Sequence, residues 1–351
     1  MQLSWRLILW TASTLLIGAT GYLVFDYVGA PLAVFLGPVS FLLIATRWLK
    51  QLNFPNILVS PVYLVVGAVL GQGVTDGFLA HMSKWPISLG AILLLVPAII
   101  FITSWVLSRV FAWSHSQSFY ATIPGALPMT MAMAEEKGEA LAPILTVQLT
   151  RLMFMVVLVP LTTSIFIEIE PSIASSLPPM TAVEYLWLAV GCYVVGWIFA
   201  RLKLPAGYLS GAILASSFLH ITGVVKGGLP ANLETVFLMM MGCKMGLYVK
   251  NVSQADLVKS LLPSIVAFIV ASSVAFCFAV LLSYLTGFSI LQLFISYTPG
   301  GQEAMILLAG YVGADPAFVV AHHLFRFIGL LVLMPFLLRW FRADDLILEK
   351  K

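Results

Sequence analysis

Two stretches of the chain match each other at a fixed distance, and both carry a residue pair that an uninterrupted helix does not tolerate. Thr122-Ile-Pro-Gly-Ala-Leu-Pro128 and Tyr297-Thr-Pro-Gly-Gly-Gln-Glu303 place their Pro-Gly steps 175 positions apart. Proline lacks an amide hydrogen and collides with the preceding turn, while glycine tolerates left-handed backbone, so each step breaks a helix. The same offset relates Arg151 to Arg326, Gly138 to Gly313 and Pro160 to Pro335. Aligned without gaps, residues 119–160 and 294–335 share 11 of 42 positions. Outside that region Gly67 and Gly71 match Gly242 and Gly246 at offset 175, and Pro31 and Gly37 match Pro205 and Gly211 at offset 174. An offset of half the 351-residue chain divides it into a first repeat, 1–175, and a second, 176–351, within one integrated membrane domain. A period this long is the signature of a repeat architecture.

The sequence around the steps is apolar: 61% hydrophobic, 9% charged, with a mean hydropathy of +1.03. So little charge does not cover the surface of a soluble domain of this size. Crossing about 30 Å of hydrocarbon at about 1.5 Å per residue takes about 20 residues. Spans are expected near 5–25, 28–48, 54–73, 86–113 and 139–167, and again near 181–200, 204–223, 232–249, 260–286 and 314–338. The run after Arg6 is long enough to span, and Gly18-Ala-Thr-Gly21 is a poor cleavage site, so it reads as a retained first membrane helix. The expected fold class is all-α: a polytopic membrane protein of about ten transmembrane helices. The Pro-Gly segments, near 117–137 and 290–312, are left over as re-entrant or broken helices.

Loop lysines and arginines set the orientation. With the amino terminus and Arg6 in the cytoplasm and both Pro-Gly segments re-entrant, Arg47, Lys50, Arg109, Arg201, Lys203, Lys250 and Lys259 fall inside. So do Arg339, Arg342, Lys350 and Lys351, whereas Asp26, Glu168 and Glu170 fall outside and Lys84 and Lys226 are exceptions. Five spans per repeat make the repeats inverted and leave both termini cytoplasmic. If the Pro-Gly segments cross fully, the result is a twelve-span parallel arrangement that agrees less well with the charges. Inverted broken helices enter from opposite faces, and secondary transporters build midplane sites from such elements.

The candidate site residues follow from this geometry. Pro124, Gly125, Pro299, Gly300 and Gly301 form the breaks, after which new helices start at 128–130 or 302–304 with free amides that attract anions. Arg151 and Arg326 lie deep in apolar segments, where an ionisable residue faces a cavity or a partner. The alternative for each is a structural arginine, bound to backbone carbonyls at a helix end or snorkelling to an interface. Gln148 stands three residues before Arg151, and His323 and His322 three and four before Arg326, so they share helix faces. Glu303, the one carboxylate inside either motif, is the candidate coupling group, with a helix-dipole acid as the plainer reading. Glu135, Glu136 and Glu139 read as a solvated loop, Asp315-Pro316 as a helix start, and Lys244 as facing a cavity or snorkelling.

Other chemistries lack support. Cys192, Cys243 and Cys277 show neither disulfide nor metal spacing and read as buried small hydrophobes. No P-loop, Rossmann fingerprint or His-Glu-x-x-His run occurs, so neither a cofactor, a metal nor an enzyme activity is expected. A small cationic excess, 18 against 15, forms no basic stripe for nucleic acid.

Phe119-Tyr-Ala-Thr-Ile-Pro-Gly, Phe294-Ile-Ser-Tyr-Thr-Pro-Gly-Gly, Gly313-Ala-Asp-Pro-Ala-Phe-Val and the downstream Arg326 resemble the AbrB family of duplicated bacterial membrane proteins. The resemblance covers essentially the whole chain. That family is described as a candidate regulator of expression of a DNA-alkylation-response gene and is often labelled "ammonia monooxygenase". Its pattern has Pro-Gly-Gly in both halves with an acid shortly after, whereas the first copy here reads Pro124-Gly125-Ala126 and Met129. A copper monooxygenase needs several convergent histidines, and the five present are spread along the chain. A regulator of DNA needs a basic reading element, so an effect on expression would be indirect.

The function expected is therefore a secondary transporter in the bacterial inner membrane, moving a small anionic solute through a site lined by both breaks and both arginines. Lipid, the solute and further copies of the chain are the expected partners. A membrane sensor that moves nothing is the alternative, since fold analogy does not separate the two.

Overall fold

A computed structural model of the chain describes residues 5–30, 33–72, 85–124, 127–136, 138–139, 141, 143–151, 154, 177–204, 206–247, 250, 254–300 and 302–348. Among these residues every regular element is a helix. In chain order they are α1 (Trp5–Tyr27), α2 (Ala33–Ala45), α3 (Asn56–Gly71), α4 (Trp85–Phe111), α5 (His115–Thr122) and α6 (Leu127–Glu136). A helical run over 143–151 follows. Then come α7 (Ala182–Arg201), α8 (Gly207–Ile221), α9 (Ala231–Gly246), α10 (Gln254–Thr286), α11 (Ile290–Tyr297), α12 (Gln302–Tyr311) and α13 (Pro316–Leu348).

The offset read from the sequence recurs in these bounds. Elements α3 and α9 start and stop 175 positions apart, as do α5 and α11, and α6 and α12. Backbone conformation repeats with them. Left-handed φ occurs at Gly29 and Lys203, at Ala112 and Gly287, and at Gly138 and Gly313, offsets of 174, 175 and 175. Glycine adopts this region freely, but alanine and lysine are strained in it. At Ala112 and Lys203 the turn itself imposes the conformation.

Among the described residues five helices are long and apolar enough to cross a membrane: α1, α4, α7, Val258–Thr286 within α10 and Pro316–Met334 within α13. Several long apolar helices are what a multi-pass membrane protein requires. The expected spans at 28–48, 54–73, 204–223 and 232–249 are shorter helices of 13, 16, 15 and 16 residues. The starts of α3 and α8 fall later than expected, and α9 begins at Ala231 but ends early, at Gly246. Pro55 and Pro230 precede α3 and α9 in extended conformations, and left-handed Ala206 precedes α8.

The chain forms two compact units, and each takes segments from both halves. One comprises Met1–Phe78, Val156–Asn251 and Ile306–Ala317. Its close contacts recur in both copies. A Cβ added at Gly21 of α1 would meet the Gly37 carbonyl oxygen of α2 at 2.4 Å, and one at Gly211 of α8 would meet the Gly196 Cα of α7 at 2.6 Å. Gly67 and Gly71 of α3 lie against Leu209, Ala212, Ile213 and Ser216 of α8. Gly242 and Gly246 of α9 lie against Phe35, Pro38, Val39 and Leu42 of α2, the matching positions of the other half. When residue i of one copy meets j of the other and the reverse also holds, the contact is isologous and its symmetry is two-fold. Glycine at these crossings lets backbones approach, as membrane helices need.

The second unit comprises Leu79–Met155, Val252–Met305 and Phe318–Lys351. Helix α4 packs along α10, whose Ala267, Ala271, Ala275 and Ala279 are buried at every fourth position. Ile92, Leu95, Ile99, Phe119, Tyr120, Tyr297 and Phe318 belong to one core cluster that encloses the short helices α5 and α11. Cys192 and Cys243 are buried, but Cys277 on α10 is exposed, so it fills no core.

Gly37→Val and Gly211→Val are expected to destabilise the protein by about 1–3 kcal/mol each, because the nearest neighbours of both are backbone atoms with nowhere to go. Gly90→Ala, where an added Cβ meets nothing within 4 Å, is the neutral control. Thermal melts in detergent compare the three.

Candidate functional site

Helices α5 and α11 are eight residues each, too short to hold themselves together. Both end at a Pro-Gly step, and both ends are buried: Thr122, Ile123, Tyr297 and Thr298 are each almost fully enclosed. The last carbonyls of a helix have no partner inside it, and a buried unpaired carbonyl is costly. Where those carbonyls find donors explains the local sequence.

In the first copy, the Thr122 hydroxyl donates to the Phe119 carbonyl at 2.9 Å. Gln148 Nε2 donates to the Tyr120 carbonyl at 2.8 Å. Arg151 donates from Nη1 to the Thr122 carbonyl at 3.2 Å and from Nη2 to the Ile123 carbonyl at 3.3 Å. The second copy repeats the arrangement with its imidazole and guanidinium at the positions matching Gln148 and Arg151, while its threonine hydroxyl comes one position later, from Thr298, which matches Ile123. The Thr298 hydroxyl donates to the Phe294 carbonyl at 2.5 Å, His323 Nε2 to the Ile295 carbonyl at 3.3 Å, and Arg326 Nη1 to the Thr298 carbonyl at 2.9 Å. Each break is thus clamped by two side chains three residues apart on a neighbouring helix: 143–151 for α5, and α13 for α11. A cation at a helix carboxy terminus is also favoured by the helix dipole.

Both arginines thus bind backbone carbonyls at a helix end, as structural arginines do. This role does not dispose of their charge. Arg151 and Arg326 are each 5% exposed, and they lie close enough that Arg326 feels the field of Arg151. Among the described residues no carboxylate stands within ion-pair distance of either guanidinium. Each guanidinium has five N–H donors, and the contacts above engage two of Arg151 and one of Arg326. A further Arg326 donor, Nη2, is directed to His323 Nδ1 at 2.7 Å.

The second copy carries polar groups that the first lacks. His322 Nδ1 donates to the Phe318 carbonyl at 2.8 Å, and its Nε2 lies 2.9 Å from Ser88 Oγ. The Tyr297 hydroxyl donates to the Ser88 carbonyl at 2.8 Å. Phe318 stacks on the His322 ring with centroids 3.8 Å apart. The position matching His322 is Val147, in a small apolar cluster with Leu107, Ala121 and Ala267. Ser88 carried no signal in the sequence, because its counterpart in the other copy is Pro263.

Of the residues expected to form the site, Pro124, Arg151 and Gln148 come together at the first break, and Pro299, Gly300, His323 and Arg326 at the second. Gly125 and Gly301 lie outside the described residues. Glu303 sits in the first turn of α12, and its side chain is likewise outside them. Asp315 accepts from the Ala317 amide at 2.8 Å and α13 opens at Pro316, the helix start that the sequence implied. Lys244 lies in the other unit, where its ammonium donates to the Tyr63 hydroxyl and sits 4.9 Å from the Tyr63 ring centroid.

An all-helical protein with several membrane-length apolar helices and duplicated, clamped helix breaks is a narrow class. The family model described as "Transition state regulatory protein AbrB" matches residues 34–342, and the chain belongs to the AbrB family. It is similar to "Uncharacterized protein YhjN" of Bacillus subtilis (strain 168), 24% identical over 290 residues covering 78% of this chain and 75% of that protein. It is also similar to "Putative regulator AbrB" of Escherichia coli (strain K12), 25% identical over 320 residues covering 88% and 90%.

Each arginine is expected to protect its own break. In Arg326→Leu, amide hydrogen exchange over 290–298 should accelerate by about fivefold or more, as loss of a hydrogen bond of about 1 kcal/mol implies, with 115–123 unchanged. Arg151→Leu should give the reverse pattern.

Proposed function

We propose that the protein is of secondary-transporter type and moves a small anionic solute, a carboxylate above all, through the site at the two clamped breaks. The observation that carries this reading is the pair of buried guanidiniums, Arg326 in the field of Arg151, with no described carboxylate beside either. Two like charges in a low-dielectric interior are costly without an anion between or beside them. The amino-terminal ends of α6 and α12 belong to the same steps, and the helix dipole favours the same charge there.

Within this reading the chain has ten spans in two inverted repeats, lies in the bacterial inner membrane and keeps both termini in the cytoplasm, as the loop charges favour. Its partners are lipid and the solute, and it needs no cofactor. Glu303, at the start of α12, is the coupling group that carries a proton or cation. The name of the Escherichia coli relative, a regulator, favours a second reading, in which the same site binds the solute and signals without moving it.

The purified protein is expected to melt at higher temperature with small carboxylates than with matched chloride, by about 2.7 kcal/mol of stabilisation at a hundredfold excess over Kd. Vesicles reconstituted with it should take up the stabilising carboxylate, and Arg151→Ala and Arg326→Ala should remove both effects. Normal uptake by both correctly inserted variants contradicts the site assignment. Stabilisation of the native protein without flux selects the sensor. Glu303→Gln is expected to change the pH dependence of uptake more than Glu135→Gln does, and equal effects count against Glu303 as the coupling group.

A further inference from the structure

The two clamps differ at one rung. In the first copy Gln148 donates to the Tyr120 carbonyl. At the matching position His323 donates from Nε2 to the Ile295 carbonyl and, at Nδ1, receives Arg326 Nη2 at 2.7 Å. A carbonyl only accepts and a guanidinium only donates, so these partners fix the ring as its neutral Nε2–H tautomer. An added proton has one place to go, which is Nδ1. There it removes the acceptor that Arg326 uses and sets a second cation against the guanidinium. The amide of Gln148 gains no proton at these pH values.

The groups around the His323 ring offer no compensation. From its own helix it faces Arg326 and His322, and from α11 the Ile295 carbonyl. His322 is itself engaged by the Phe318 carbonyl and Ser88, whose carbonyl accepts from Tyr297. Among the described residues no carboxylate faces the ring, which is 1% exposed. A protonated imidazole in this setting breaks its bond to Arg326 rather than sharing a buried space with it.

We infer that His323 is a proton-operated latch on the second break: protonation at Nδ1 releases Arg326 and the last turn of α11, while the first break, held by Gln148, does not respond. This adds regulation by protons to the site proposed above. It rests on that reading for its purpose, and its test requires no solute.

The test is amide hydrogen exchange of the full-length protein in detergent at about pH 7.5 and about pH 5.5, with exchange times scaled for intrinsic rates. In the native protein, protection of 290–298 should fall by roughly fivefold or more on acidification, while 115–123 stays constant. His323→Gln, which installs in the second copy the residue of the first, should abolish that fall. Gln148→His should create the same acid response at 115–123. An acid response at 290–298 that is unchanged in His323→Gln overturns the latch. So does an increase in exchange that is equal at both pH values, the mark of a merely structural role. If His323→Gln does not fold, Gln148→His decides alone, and no acid response at 115–123 overturns the latch. Absence of carboxylate binding or flux would sink the transport reading and leave this result standing.

Discussion

A helix that stops inside protein leaves carbonyls that must find donors, and the arrangement around the two breaks follows from that requirement. Pro124 and Pro299 end α5 and α11 in buried surroundings. Three kinds of group then close the exposed carbonyls: a threonine hydroxyl, an amide or imidazole nitrogen, and a guanidinium. Arginine suits the last role because its planar fork reaches two acceptors and stays charged, which the negative helix end favours. The by-product is positive charge at a depth where charge is expensive. In the transport reading proposed above, the same two side chains meet a stability requirement and bind the solute.

Duplication gives this arrangement its symmetry and also the freedom to break it. In one unit the close crossings are exchanged between copies, with α3 on α8 and α9 on α2, and glycine stands at the matching places. In the other unit the arginines of the two clamps stand at matching positions, yet Gln148 corresponds to His323, Val147 to His322 and Ile123 to Thr298. Once two copies share a fold, substitutions in one are tested against a constant frame. The polar, titratable set has gathered at the second break, while the first keeps apolar packing and a proton-blind amide.

Much of this was legible in the sequence because the signals were local. Pro-Gly marks a break wherever it occurs, and the helices after the breaks begin at Leu127 and Gln302, close to where the step placed them. Asp315-Pro316 is a start signal that depends only on neighbouring backbone. The capping of carbonyls by Arg151 and Arg326 was one of two readings, and spacing alone could not choose. What stayed hidden depends on partners distant in the chain. Ser88 meets His322 across 234 residues, and nothing in either neighbourhood announces it. Glycines 67, 71, 242 and 246 signalled close approach but not which helix approaches. Hydropathy also overestimated α2, α3, α8 and α9, since it does not register where a turn residue ends a helix. Ala112 in a left-handed turn is invisible to propensity, because alanine is the last residue one would choose there.

The proposed inverted repeats require the two breaks to enter the membrane from opposite faces. Ser114 and Ser289 test it directly: they occupy matching positions at the starts of α5 and α11, and both are exposed. In a Cys277→Ser background, with Cys192 and Cys243 buried, Ser114→Cys and Ser289→Cys can be labelled with a membrane-impermeant maleimide in vesicles of known orientation. Inverted repeats require Ser114→Cys to react from the cytoplasmic side and Ser289→Cys from the opposite side. Reaction of both from one side would contradict the inverted arrangement and fit twelve parallel spans instead.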